Sequence, residues 1–178
     1  MIMKKIILIT GGERSGKSAF AERTALSMSA NPVYLATARV WDDEFRERVR
    51  RHQERRGPEW TNIEEELELS RHDLSGRVVV IDCVTLWCTN FFYRSQQRAD
   101  QDLNWVSECL QDIKAEFDRF TAQDATFIFV TNEIGMGGVS ANTQQRRFTD
   151  LQGWVNQYIA SRADDVTLMV SGIPVKIK

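Results

Sequence analysis

The sequence predicts an α/β domain with a mostly parallel central sheet and helices on both faces, on three observations. Short apolar runs rich in strand formers recur at residues 6–10, 33–37, 78–82, 126–131 and 166–171. Segments of helical spacing separate them, at roughly 16–29, 42–56, 84–93, 101–121 and 142–162. The first, third and fourth runs are nearly continuous hydrophobes, the pattern of strands covered on both sides rather than one. Strand and helix thus alternate, and alternation of this kind lays parallel strands beside one another through crossover helices.

Each element has its own warrant. The opening run IILIT is followed by KSAFAERTAL, good helix-forming residues behind a glycine turn. In 42–56, Phe45, Val49 and His52 stand at i, i+4 and i+7 and share one stripe, with Arg46 and Arg50 turned away from it. Trp87, Phe91 and Phe92 repeat at helical spacing, and Trp105, Leu110, Ile113 and Phe117 mark the buried side of a longer helix. The tail SGIPVKIK reads as part of a last strand pair near the sheet edge, blunted by Lys176 and Lys178.

Bulk properties narrow the classes. A chain of 178 residues is most simply one domain spanning 1–178, with enough core to need no staples. Its net charge of −2 offers no global basic field, so a nucleic-acid partner is not expected and any anion site must be local. Three cysteines, Cys83, Cys88 and Cys109, form no pair at metal or redox spacing; they read as small core residues in a reducing, cytoplasmic setting. No apolar run reaches the length of a membrane span.

The chemistry begins after the first strand. GGERSGKS, residues 11–18, satisfies G-x-x-x-x-G-K-[ST] between a strand and a helix. Glycines let main-chain N–H groups curl around phosphate oxygens, and the helix N-terminus adds its positive end. Lys17 is then placed for the β- and γ-phosphates of ATP or GTP, and the Ser18 hydroxyl for Mg²⁺. Asp82, at the end of VVVID, is the expected second metal-side group; its alternative role is to cap the helix that follows. Glu133, after TFIFVT and before the glycines of GMGG, is a candidate base or orienter of a substrate hydroxyl, and so is Asp82.

His52 sits in RHQERR, residues 51–56. On periodicity alone a place at the core edge beside Phe45 and Val49 explains it better than catalysis does. The surroundings add weight, because a neutral imidazole among cations is a candidate nucleophile towards an anionic substrate. Adjacent cations favour the unprotonated ring, and Arg51, Arg55 and Arg56 are forked donors suited to phosphate. Residues 42–56 hold six Arg against five Asp or Glu, so much of the run is also compatible with a solvated face carrying pairs such as Glu47 with Arg51. His72, in LSRHDLSG, is expected to be exposed and structural.

A set of motifs in fixed order then becomes specific: GGERSGKS, YLATA at 34–38, WDDEFRERVRRHQERRG at 41–57, DCVTLWCTN at 82–90, VTNEIGMG at 130–137 and the tail VSGIPVKIK. Together they resemble the bifunctional adenosylcobinamide kinase/adenosylcobinamide-phosphate guanylyltransferase family of cobalamin biosynthesis, over nearly the whole chain. The resemblance implies a RecA-like, three-layer P-loop fold, a homotrimer, and two reactions. The first phosphorylates the aminopropanol hydroxyl of adenosylcobinamide from ATP or GTP. The second passes GMP from GTP to that phosphate through a guanylylated histidine. Carried over motif by motif, the histidine is His52, ten residues beyond Asp42 of the D-D-E triplet. Nucleotide contacts are implied for Gly11, Gly12, Glu13, Arg14, Ser15, Gly16, Lys17 and Ser18, and for Ala36, Thr37 and Ala38. They are implied also for Gln53, Glu54, Arg55, Arg56, Glu64 and Asp82. The chain departs from the family at GMGGVSAN, which lacks the proline and an apolar residue usual after those glycines. Two other readings of the residues are a P-loop small-molecule kinase without the transfer step, and a nucleotide-sensing binding module.

Overall fold

The computed structural model describes residues 4–39, 47, 50, 56–98 and 104–178. The strands are β1 (Lys5–Gly11), β2 (Val33–Ala36), β3 (Thr61–Glu64), β4 (Val78–Asp82), β5 (Thr126–Val130), β6 (Asp165–Val170) and β7 (Ile173–Lys176). The helices wholly within the described residues are α1 (Lys17–Met28), α2 (Val84–Arg98), α3 (Trp105–Thr121) and α4 (Thr143–Arg162). The strands form one sheet in the order β3-β2-β4-β5-β1-β6-β7. Every pairing is parallel except the last, where β7 returns antiparallel on β6.

Alternate residues of the central strands feed two separate cores, which is why those runs read as continuous hydrophobes. Ile6, Leu8, Val79, Ile81, Phe127 and Phe129 face the layer of α2, α3 and α4, against Trp87, Ile113, Phe117 and Ile159. Ile7, Ile9, Val78, Val80, Ile128 and Val130 face the other way, onto Ala21 and Ala25 of α1. The sheet is thereby the middle of three layers. Within the thicker layer Phe117 packs at 5.2 Å between ring centres against Phe129, and Trp87 meets Phe91 edge to face at 5.5 Å.

Most strand ends match the sequence reading to one residue; the structure differs from that reading at β3, at the end of α2, at His72 and at Lys178. β3 was not expected, because Thr61–Glu64 reads TNIE; it is an edge strand whose side chains are mostly exposed, so no apolar run announces it. α2 continues past residue 93 to Arg98, through polar helix formers that carry no periodic signal. His72 is not simply exposed: its side chain is 29% exposed and its Nε2 lies 3.4 Å from Glu65 Oε2. All three cysteines are buried, as expected of small core residues. Burial pushes the Cys83 thiol up to about 12 and the Cys109 thiol to about 11, so both stay protonated. Lys178, read as an edge charge, instead donates to the carbonyls of Ala160 and Ala163 at the end of α4. Among the described residues no helix is long and apolar enough to cross a membrane. The expected helix over 42–56, with the stripe of Phe45, Val49 and His52, lies outside the described residues apart from Glu47 and Arg50, which are helical and pair with each other at 2.7 Å, and Arg56, which stands in a bend and not in a helix.

Candidate active site

Parallel sheets open to ligands at the carboxyl ends of their strands. Gly11 ends β1, Ala36 ends β2, Glu64 ends β3 and Asp82 ends β4, while Glu133 lies three residues beyond β5. Because β5 runs between β4 and β1, Glu133 emerges between Asp82 and the glycine loop.

The loop itself depends on backbone that only glycine adopts freely. Gly11 has φ +148° and Gly16 φ +93°, and Arg14 also takes positive φ. Gly16 precedes α1, whose first residues are Lys17 and Ser18, so the turn delivers both to the helix N-terminus. The Lys17 ammonium donates to the Gly12 carbonyl and lies 3.4 Å from Ser15 Oγ, stretched along the inside of the loop with its side chain buried. Gly12, Glu13 and Arg14 form the exposed crest, and Ser18 is half-buried. The turn between β6 and β7 braces the loop from behind, Gly172 N donating to Ser15 O at 2.9 Å. A methyl group on Gly11 would stand 2.5 Å from Met169 O and 2.9 Å from Ser15 Oγ. Gly11→Ala is therefore expected to lower stability by about 2 kcal/mol and to weaken nucleotide binding with it. Urea denaturation beside titration with a fluorescent GTP analogue reads both, and an unchanged unfolding midpoint would contradict so close an approach.

Two carboxylates flank the loop, each held by neighbours. Glu133 N donates to Gly11 O at 3.1 Å, tying it to the end of β1. Its Oε1 accepts from Thr10 Oγ1 at 2.8 Å and from Asn156 Nδ2 at 3.3 Å. Asn156 is fixed in turn by Thr131 Oγ1, which donates to its Oδ1 at 2.7 Å, and by Gln152 Nε2 at 2.9 Å. Asp82 is oriented separately: the Tyr34 hydroxyl donates to its Oδ2 at 2.8 Å. Burial, then the charge of Asp82, holds the Tyr34 phenol well above its ordinary range, so it remains a donor.

Arg56 joins this second carboxylate to the segment that precedes it. Its guanidinium lies 3.5 Å over the Tyr34 ring, its Nε donates to Asn62 Oδ1 at 2.9 Å, and its side chain is 3% exposed. Thr37 is fully buried; its hydroxyl donates to Cys83 O at 2.7 Å and accepts from Cys83 N at 2.9 Å, closing the join between β2 and β4. Any contact that Ala36, Thr37 and Ala38 make with nucleotide falls to main-chain atoms or to the flanking alanines. Glu64 is exposed on the edge strand, in register with Ala36 and thus on the same rim. The structure so gathers residues 11–18, Ala36, Glu64, Asp82 and Glu133 along one edge. His52, Gln53, Glu54 and Arg55 lie outside the described residues. The supporting residues Tyr34, Thr10, Gln152 and Asn156 escaped the sequence reading. Only the last two left a signal, two amide side chains at i, i+4 on the face of α4 that also buries Leu151 and Val155.

A glycine cradle running into a helix, carboxylates at the ends of neighbouring strands and a mostly parallel sheet between helical layers define a P-loop nucleotide-binding domain of the RecA-like kind. The solved structure of a prototypical ATPase from a type III secretion system shares this fold, with a TM-score of 0.59 at 11% identity over 93% of the chain. The chain spans 51% of that protein's length, and the likeness concerns fold alone.

Its kind is narrower than the fold. The chain belongs to the cobinamide kinase/cobinamide phosphate guanyltransferase family, whose model matches residues 7–177, and it is accordingly a transferase of cobalamin biosynthesis. It is 39% identical to the bifunctional adenosylcobalamin biosynthesis protein CobU of Escherichia coli K12, over 97% of this chain and 99% of that one. It is 38% identical to the corresponding protein CobP of Pseudomonas aeruginosa, over 96% of each chain.

Proposed function

We propose that one nucleotide edge serves two transfers on a corrinoid: phosphorylation of the adenosylcobinamide hydroxyl from ATP or GTP, then transfer of GMP to the new phosphate through His52. The observation that carries this reading is the link from Arg56 through Tyr34 to Asp82. His52 is four residues before Arg56, and four residues of chain reach at most about 14 Å. The guanidinium stacked on Tyr34 holds Arg56, the residue that follows 51–55 in the chain, beside the rim that carries the phosphate loop.

In the first transfer the substrate hydroxyl oxygen attacks the γ-phosphorus, the bond to the β-phosphate oxygen breaks, and the hydroxyl proton leaves to a carboxylate. Glu133 is suited to accept that proton, because Thr10 and Asn156 hold its Oε1 and leave Oε2 open. Asp82 and Ser18 suit Mg²⁺. They offer a hard carboxylate and a hydroxyl on the open edge, and Mg²⁺ is characteristically held by one or two such groups with water and phosphate completing its shell. When bound, the ion would neutralise charge on the phosphate oxygens. Lys17 keeps the transferring phosphate in place.

In the second transfer a neutral His52 nitrogen attacks the α-phosphorus of GTP and pyrophosphate departs, leaving a phosphoramidate. A phosphate oxygen of adenosylcobinamide phosphate then attacks that phosphorus, the P–N bond breaks, and adenosylcobinamide-GDP forms with His52 restored. Gln53, Glu54 and Arg55 belong to this step as nucleotide contacts, and Arg56, whose buried guanidinium is taken up by Tyr34 and Asn62 and not by phosphate, as the anchor that follows them. A homotrimer and a cytoplasmic location complete the proposal; Ile173, Val175 and Ile177 supply exposed apolar surface suited to a subunit contact.

Parallel incubations with α-labelled and γ-labelled GTP test the pair of reactions. The α label is expected to become covalently and acid-labilely attached to protein, and the γ label to appear on cobinamide. A γ label on substrate with no α label on protein would leave a kinase alone.

A further inference from the structure

We propose that the corrinoid lies in the groove between α2 and the start of α4, with its hydroxyl-bearing arm directed back along α2 to Glu133. This rests on the corrinoid reading above. The groove encloses about 480 Å³, within the range of small-molecule sites. Its polar rim consists of Thr89, Tyr93, Ser140, Asn142, Gln144 and Gln145. Phe92 and Phe148, edge to face at 5.3 Å, complete the lining.

The chemistry of the rim selects the occupant. Among the described residues none that lines the groove is charged, which makes it a poor second site for a nucleotide or phosphate. Arg146, at the foot of the same loop, has its guanidinium committed to the carbonyls of Ser140 and Ala141 and to Thr143 Oγ1. Carboxamides and hydroxyls both donate and accept, as do the primary amides that fringe a corrin ring. The macrocycle is also broadly apolar. The loop that borders the groove exposes Met136 at 78% and Val139 at 90%, two apolar side chains suited to packing on a flat ring.

Position supplies the independent argument. Thr85 and Thr89 are one helical turn apart on α2, joined by the Thr89 hydroxyl donating to Thr85 O at 2.9 Å. Thr85 Oγ1 accepts from Asn132 N at 3.1 Å, and Asn132 immediately precedes Glu133. One turn rises about 5.4 Å, so the near end of the groove opens one turn from the segment bearing the candidate base. A ring seated there leaves a short arm to span the gap to the phosphate loop.

The test uses the full chain and dicyanocobinamide. Gln144 and Gln145 are exposed in the first turn of α4, where alanine is a good helix former. Gln144→Ala/Gln145→Ala is expected to raise the dissociation constant for dicyanocobinamide about tenfold or more and to leave that for GTP unchanged. Hydrogen exchange on the unsubstituted chain should show protection at residues 89–93 and 138–148 when dicyanocobinamide is added. Unchanged cobinamide affinity in the variant, or protection elsewhere without those segments, overturns the groove while leaving the two reactions standing. An unsubstituted chain that neither binds nor phosphorylates cobinamide sinks the activity reading and the groove together. If the variant loses GTP affinity in parallel, the exchange pattern of the unsubstituted chain decides.

Discussion

Lys17→Ala is expected to depress both transfers by about a hundredfold to a thousandfold, the usual effect of deleting one preorganised electrostatic group. In the proposed mechanism both reactions draw on a nucleoside triphosphate held by residues 11–18, so a single substitution should remove both, which no change confined to one acceptor would do. The side chain is buried along the loop, its ammonium against Gly12 O and Ser15 Oγ. Those main-chain and hydroxyl contacts are hydrogen bonds, each worth about 1 kcal/mol of stability. Thermal unfolding is thus expected to change little while single-turnover transfer of γ-phosphate collapses. Lys17→Arg should not restore the rate, because a planar fork cannot follow the path of a slender ammonium inside the loop. Unaltered GTP affinity and turnover in Lys17→Ala would remove the phosphate cradle from the mechanism altogether.

How far the sequence speaks for itself depends on the kind of signal each part sends. The cradle was legible because its four fixed positions answer to one geometric demand, backbone curling around phosphate, and GGERSGKS meets it within eight residues. The strands β1, β4 and β5 were legible because burial on both faces leaves unbroken apolar runs. β3 was illegible for the converse reason, since only Ile63 of TNIE packs against the core. The supports of the site were harder still. Tyr34 and Asp82 are 48 positions apart, and Thr10 and Glu133 are 123 apart; each pair meets only because β2 and β4, and β1 and β5, lie side by side. A lone Tyr in a strand reads as packing, and nothing local reveals that its hydroxyl aims a carboxylate. The groove at α2 and α4 is a third case. Its polar rim is drawn from two helices and a loop, and those residues taken singly look like ordinary solvated surface.

His52→Ala is expected to abolish covalent labelling by α-labelled GTP while transfer of γ-phosphate to cobinamide stays within about threefold of the parent, the margin left by an indirect effect of well under 1 kcal/mol. The two outcomes separate because the proposed mechanism uses the histidine in only one of the two bond exchanges, as the nucleophile at the α-phosphorus, while the substrate hydroxyl attacks the γ-phosphorus. The phosphoramidate gives the experiment its chemical signature, since a P–N bond to imidazole is cleaved by acid, whereas an ester to serine or threonine persists. Mass spectrometry of the peptide spanning 51–56 should then carry GMP before acid treatment and lose it afterwards. The tether through Arg56 makes a further demand. Arg56→Ala removes the guanidinium from the Tyr34 ring and from Asn62 while His52 itself remains. If the histidine's segment works because it is fixed to the rim at that point, labelling in Arg56→Ala should slow about tenfold or more, as expected for loss of a positioning contact, with phosphorylation again largely spared. Persistent acid-labile label in His52→Ala would move the nucleophile to another residue. Full-rate labelling in Arg56→Ala would show that the segment is brought to the nucleotide by some other hold.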